Sequence, residues 1–255
     1  MKKTGAVCCF LLMPMLQVAA QRSSLSVAGI WKFKLDPFAT GISSNGVQMM
    51  PSLTEAITLP GSTDQAGKGI KTQEMTSLRL TRLFEYKGAA WYEKEVFVPE
   101  EWKDKELRLF LERAHWETTV WINGKPAGRQ ESLSVPHIYD LTELLQPGKK
   151  NVIRIRVDNN MIYNIEYSHA VSAETQTNWN GIIGKIELQA FDKIHIDDVQ
   201  VYTKIKEKKV SVHITLLNKP KKLLSGSLQI TGGLSATDAA PLASKFVEFS
   251  GSDSL

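Results

Sequence analysis

Val120-Trp-Ile-Asn-Gly-Lys125 carries the clearest hairpin signal in the chain. Three residues of high strand propensity run into Asn123-Gly124, and that dipeptide tolerates the positive φ that a type I′ turn needs at both central positions. A strand before such a turn pairs with a strand after it, so the sheet is antiparallel. Working outward, apolar residues recur with a period of two nearly everywhere. Trp31, Phe33 and Leu35 alternate with Lys32, Lys34 and Asp36, and Leu107, Leu109 and Leu111 with Arg108, Phe110 and Glu112. Ile153, Ile155 and Val157 alternate with Arg154, Arg156 and Asp158, and Val210, Val212, Ile214 and Leu216 with Ser211, His213 and Thr215. Each segment offers one face to a core and one to water, as antiparallel strands of a sandwich do. Pro60-Gly61, Pro147-Gly148 and Gly232-Gly233 punctuate the series.

Helix is scarce. Asp140-Leu-Thr-Glu143 reads as one capped turn, with Asp140 accepting from the first amides and Glu143 reaching back before Pro147-Gly148 ends it. No long amphipathic helix and no internal repeat occurs, so a β/α barrel cannot be built from these residues. The expected fold is all-β: a jelly-roll β-sandwich over 21–192, then a partial immunoglobulin-like β-sandwich over 193–255. The second unit's strands are read at 196–202, 209–216, 227–231 and 246–249. That falls short of the roughly seven that such a sandwich needs. An open edge and an uncovered apolar face would result.

The first twenty residues stand apart. Lys2 and Lys3 precede a mostly apolar run from residue 6 to 16, and Val18-Ala19-Ala20 supplies small residues ahead of Gln21. This is the pattern of a secretory signal peptide cleaved near Ala20, and it predicts a secreted or periplasmic protein. The run is short against the roughly 20 residues of a membrane span. Cys8 and Cys9, the two cysteines, would leave with it, so no disulfide, thiolate metal site or cysteine nucleophile is expected in the mature chain. Its 29 basic and 27 acidic residues give no reason to expect nucleic acid as a partner. The five histidines, His115, His137, His169, His195 and His213, show no metal-ligand spacing. No Gly-x-Ser-x-Gly elbow and no phosphate-cradling glycine loop occurs. No metal or cofactor is expected.

An ordered series of motifs then narrows the reading. Gly88-Ala-Ala-Trp91-Tyr92 and Val96-Phe-Val-Pro99 come first, followed by Val120 to Lys125 with Gly128. Tyr139-Asp140-Leu-Thr142, Pro147-Gly148-Lys-Lys-Asn151-Val152 and Val157-Asp158-Asn159 follow, and Trp179-Asn-Gly181-Ile182 closes the series ahead of an alternating strand. Gly29-Ile-Trp31-Lys-Phe33 and Leu59-Pro60-Gly61-Ser62 suit the same layout. Over residues 29–191 the chain resembles the N-terminal, galactose-binding-like jelly-roll of glycoside hydrolase family 2, the family of β-galactosidases, β-glucuronidases and β-mannosidases. Residues 193–255 look like the start of its immunoglobulin-like domain. The resemblance implies a non-catalytic, carbohydrate-binding part of a secreted, β-galactosidase-like glycosidase. In that family two glutamates on a separate C-terminal barrel hydrolyse the glycosidic bond. That catalytic domain would be the missing partner, and a β-linked glycoside the ligand. Two alternatives are a free-standing carbohydrate-binding module and an accessory domain of a carbohydrate esterase.

The resemblance also places a substrate-facing loop before the last jelly-roll strand, here Thr177, Asn178, Trp179 and Asn180. An indole suits the C–H face of a pyranose, and amides offer donor and acceptor to its hydroxyls. The competing reading is that Trp179 closes the core and Asn180-Gly181 merely turns the chain. Asn159 and Asn160 are lesser candidates at a strand end, and His169, flanked by Glu166 and Glu174, is another. Trp91-Tyr92 reads as core, and Asn123-Gly124 as a turn and nothing more.

Overall fold

The computed structural model describes residues 22–41, 52–73, 82–163, 178–219, 221, 224–232 and 243–251. Thirteen strands come before the expected boundary. They are β1 (Ser23–Ser26), β2 (Gly29–Asp36), β3 (Glu55–Leu59), β4 (Gly61–Ser62), β5 (Ile70–Lys71), β6 (Phe84–Glu85) and β7 (Ala89–Phe97). Then come β8 (Glu106–His115), β9 (Glu117–Ile122), β10 (Lys125–Glu131), β11 (His137–Asp140), β12 (Lys150–Asp158) and β13 (Gly181–Phe191). β5 and β6 pair only with each other, and the remaining strands form two antiparallel sheets. One runs β1-β13-β8-β11 with β4 also on β13, and the other runs β10-β9-β12-β7-β2-β3. No α-helix occurs among the described residues.

The hairpin at Asn123-Gly124 is present. Asn123 and Gly124 have φ of 52° and 81°, and Lys125 pairs with Ile122. The Asn123 side chain does more than turn the chain, which corrects the sequence reading. Its Oδ1 accepts from the Val152 amide at 2.9 Å, and its Nδ2 donates to Asn151 Oδ1 at 2.8 Å. The hairpin is thereby tied to β12. The Asp140 turn also forms, with Asp140 Oδ1 accepting from the Thr142 amide at 3.0 Å and the Leu145 amide donating to the Leu141 carbonyl.

The alternating residues meet between the two sheets. Trp31, Phe33, Tyr92, Leu109, Leu111, Val120, Ile153, Ile155 and Leu188 are almost wholly excluded from water. Fully burying a side chain of that size stabilises the fold by about 1.5–3 kcal/mol relative to leaving it exposed. Trp91 points the other way and stacks on Trp121 at 5.2 Å in a small cluster of its own, its indole N–H donating to Asp36 at 3.0 Å.

Past residue 193 the chain forms β14 (Ile194–Lys204), β15 (Lys209–Asn218), β16 (Leu224–Gly232) and β17 (Ala243–Gly251). They make two separate two-stranded sheets, β14-β15 and β16-β17. Val199 lies opposite Ile214 and Val201 opposite Val212, so one face of the first hairpin is apolar. Val199 and Val201 are 51% and 60% exposed on it. Charged contacts connect this hairpin to the sandwich: Arg108 donates to Asp197 and Lys219 to Asp140, each at 2.8 Å.

Candidate functional site

Of the loop residues singled out in the sequence, Asn178, Trp179 and Asn180 are described, and they do three different things. Thr177 lies outside the described residues, as do His169, Glu166, Glu174 and the leader 1–20.

Asn180 belongs to the interior. It is fully buried at the start of β13, and its Oδ1 accepts from the Tyr92 hydroxyl at 2.9 Å. Its Nδ2 donates to the carbonyls of Gly88 and Val157 at 3.0 and 3.1 Å, and its own carbonyl accepts from the Thr63 amide at 2.8 Å. Both amide protons are spent on the protein and no surface is left for a sugar. This corrects the expectation that Asn180 contacts substrate. Asn159 is corrected likewise. It is fully buried, its Oδ1 accepts from the Gly88 amide at 2.8 Å, and its Nδ2 donates to the Tyr86 carbonyl. Two asparagines distant in sequence therefore hold the same residue, Gly88, at the mouth of the sandwich. Burial of the Tyr92 phenol among these groups pushes its pKa well above the ordinary tyrosine value.

Trp179 and Asn178 are only half-buried. The indole stacks on the imidazole of His115, with ring centroids 5.0 Å apart and planes 24° from parallel. His115 ends β8, lies opposite Gly181 of β13 and is 4% exposed. Burial lowers its pKa to about 4, opposed by the Asn178 side chain against it and aided by the Arg82 charge. It is neutral at pH 7. His115 Nε2 and Asn178 Oδ1 are both buried polar atoms without a hydrogen-bond partner among the described residues. Arg82 in turn donates to Asp64 at 2.8 Å.

Nothing in the spacing of the sequence pointed to His115. The one available cue was a histidine beside a tryptophan at the end of an alternating strand. The site thus offers a half-buried indole backed by a neutral ring, next to the Asn178 amide. A flat apolar face of this kind suits a hydroxylated ring, and the described residues around it supply neither an acid/base pair nor a nucleophile. Among the described residues no group of three or more His, Cys, Asp or Glu comes together as a metal site would require.

Residues 25–191 match the family model for "Glycosyl hydrolases family 2, sugar binding domain". The chain belongs to glycosyl hydrolase family 2. Among curated family relatives, a β-glucuronidase of Paenibacillus borealis is 27% identical over 138 residues, covering 54% of this chain and 21% of the relative. The Mus musculus β-glucuronidase is 22% identical, covering 73% and 31%. A β-galactosidase of Priestia megaterium is 29% identical, covering 48% and 12%. The chain therefore spans well under half the length of these relatives. In fold, it resembles a Bacteroides uniformis β-glucuronidase (TM-score 0.65, 19% identity), covering 92% of this chain and 27% of that one. It also resembles a Ruminococcus gnavus β-glucuronidase (TM-score 0.63, 18% identity), covering 90% and 38%. The family's sugar-binding sandwich accounts for both sheets described above.

Proposed function

We propose that this chain is the non-catalytic, carbohydrate-binding part of a secreted family 2 β-glycosidase, and that Trp179 and Asn178 form its sugar-contacting edge. The single observation that carries this reading is the half-buried Trp179 ring, stacked on buried His115 with the Asn178 side chain beside it. An aromatic face fixed in this way loses little freedom when a pyranose packs on it. Hydrolysis is assigned to a catalytic barrel outside residues 1–255, and export to the leader ending near Ala20.

A β-glucuronoside is favoured over a β-galactoside. Both curated β-glucuronidases named above and both solved neighbours support that order. The test is to titrate the purified chain with methyl β-D-glucuronide and methyl β-D-galactoside, following the indole resonances by NMR. The expected result is saturable shifts at Trp179, larger and at lower concentration for the glucuronide, with no turnover of aryl β-glycosides. Turnover by the chain alone would overturn the non-catalytic assignment. Identical titrations of wild type and Trp179→Ala would remove Trp179 from the site.

A further inference from the structure

Trp179 is the first of four rings in a row. Its indole stacks on His115 at 5.0 Å, His115 lies 6.0 Å from Trp116, and Trp116 lies 6.3 Å from Tyr163. The two inner rings are closed off from water, at 4% and 3% exposure, whereas Tyr163 is 56% exposed. Tyr163 follows the end of β12, and two contacts fix it there. Its ring rests on Trp116, and its hydroxyl donates to the Glu131 carboxylate of β10. Glu131 also accepts from Arg129 at 3.0 Å, and the Ser132 amide next to it donates to the Trp116 carbonyl at 3.3 Å. An exposed tyrosine held at both ends contributes little to the core, yet it presents a rigid aromatic face with a polar rim.

We propose that Tyr163 is a second sugar platform, so that the ligand of this face is a β-linked oligosaccharide resting one residue on Trp179 and another on Tyr163. The proposal rests on the role given to Trp179 above. Its grounds are continuity and rigidity. The two outer rings are linked through two buried ones by successive contacts of 5.0, 6.0 and 6.3 Å. A single pyranose covers one ring, and only a longer chain reaches both. Rings fixed in advance lose little conformational entropy on binding, so a second contact adds to affinity. Glu131 accepts from the phenol and shares Arg129 with Glu117, which lies closer to that guanidinium at 2.6 Å.

The test is a titration series on the purified chain. The probes are methyl β-D-glucuronide and oligosaccharides of two, three and four residues with a β-D-glucuronosyl group at the non-reducing end. In the wild type the dissociation constant falls about fivefold to tenfold from the monosaccharide to the longest chain, the gain expected of one further aromatic contact. Tyr163→Ala abolishes that gain and leaves monosaccharide binding unchanged, Tyr163→Phe keeps most of it, and Trp179→Ala weakens every member of the series. Far-UV circular dichroism confirms that each variant is folded. Monosaccharide binding with no dependence on length, or a gain that survives in Tyr163→Ala, overturns the second platform alone. Absence of binding at every length overturns the Trp179 site and the second platform with it.

Discussion

The Tyr92 hydroxyl donates to Asn180 Oδ1 at 2.9 Å, joining the middle of one sheet to the residue just before β13 in the other. That contact anchors the chain directly behind Asn178 and Trp179. With Asn180 pinned inside, the residue before it emerges at the rim, and its indole lands on His115. The candidate binding edge is the exposed end of a buried hydrogen-bond cluster.

Replacing Asn180 by alanine removes its bonds to the Tyr92 hydroxyl and to the Gly88 and Val157 carbonyls, the Gly88 carbonyl keeping the Asn159 amide at 3.4 Å. Buried polar groups left unpaired cost about 1–3 kcal/mol each, partly relieved by entering water. Urea denaturation of Asn180→Ala should show a loss of about 3 kcal/mol. A loss under about 1 kcal/mol would mean that the cluster does not hold the loop.

Gly181 follows with φ of +146°, and a Cβ there would lie 2.4 Å from the Gly61 carbonyl oxygen and 2.8 Å from Ser62 Cα. Both are backbone atoms of the chain paired with β13 at this point. Gly181→Ala should destabilise by at least about 3 kcal/mol, combining backbone strain with overpacking. Retention of the wild-type melting temperature would contradict this geometry.

Trp179→Ala removes a half-exposed ring and leaves the sheets intact. Its stability cost should be smaller than that of Asn180→Ala, at about 1 kcal/mol, while affinity for methyl β-D-glucuronide falls at least tenfold. Calorimetric titration and thermal melts on the same samples separate the two effects. If both variants lose stability and binding in equal measure, Trp179 closes the core and does no more.

Acid should weaken the fold in two stages. The His115 pKa is lowered to about 4 and that of His137 is also lowered, both chiefly by burial. The unfolded chain therefore binds protons that the folded chain refuses between pH about 6.5 and about 4, and stability falls as pH drops through that window. For His115 the full effect is about 3 kcal/mol. The carboxylates of Asp36, Glu93, Asp140 and Asp197 are held below their ordinary values despite burial, by hydrogen bonds and, at Glu93, Asp140 and Asp197, by paired charges. Their contribution is lost only at lower pH, as they protonate. Urea midpoints measured from pH 7.5 to 4.5 should decline in the wild type and decline less steeply in His115→Gln, where His137 still contributes. An unchanged slope in that variant would assign the effect elsewhere.

Limited proteolysis should cut within 193–255 before it cuts the strands of the sandwich. Isolated two-stranded sheets are marginal in water, and β14-β15 carries exposed Val199 and Val201 on its apolar face. Mass spectrometry of the first fragments decides the matter, and initial cleavage inside β7, β8 or β12 would refute it.

By itself the sequence determined that this chain is built of antiparallel strands, where most of them lie, and which family it resembles. Alternation with period two reports which face meets the core, and Asn123-Gly124 declares its turn through φ alone. Both signals are local, so one strand at a time reveals them. The four strands after residue 193 were legible for the same reason. Tertiary structure alone decided what the asparagines do. Asn178 and Asn180 are the same residue type two positions apart. The second is interior because Tyr92, Gly88 and Val157, far away in the chain, bring it a donor and two acceptors. The row from Trp179 through His115 and Trp116 to Tyr163 was equally invisible, since its rings come from β8, the end of β12 and the start of β13. A half-buried side chain takes its role from its neighbours in space, and pairing of distant strands sets those neighbours.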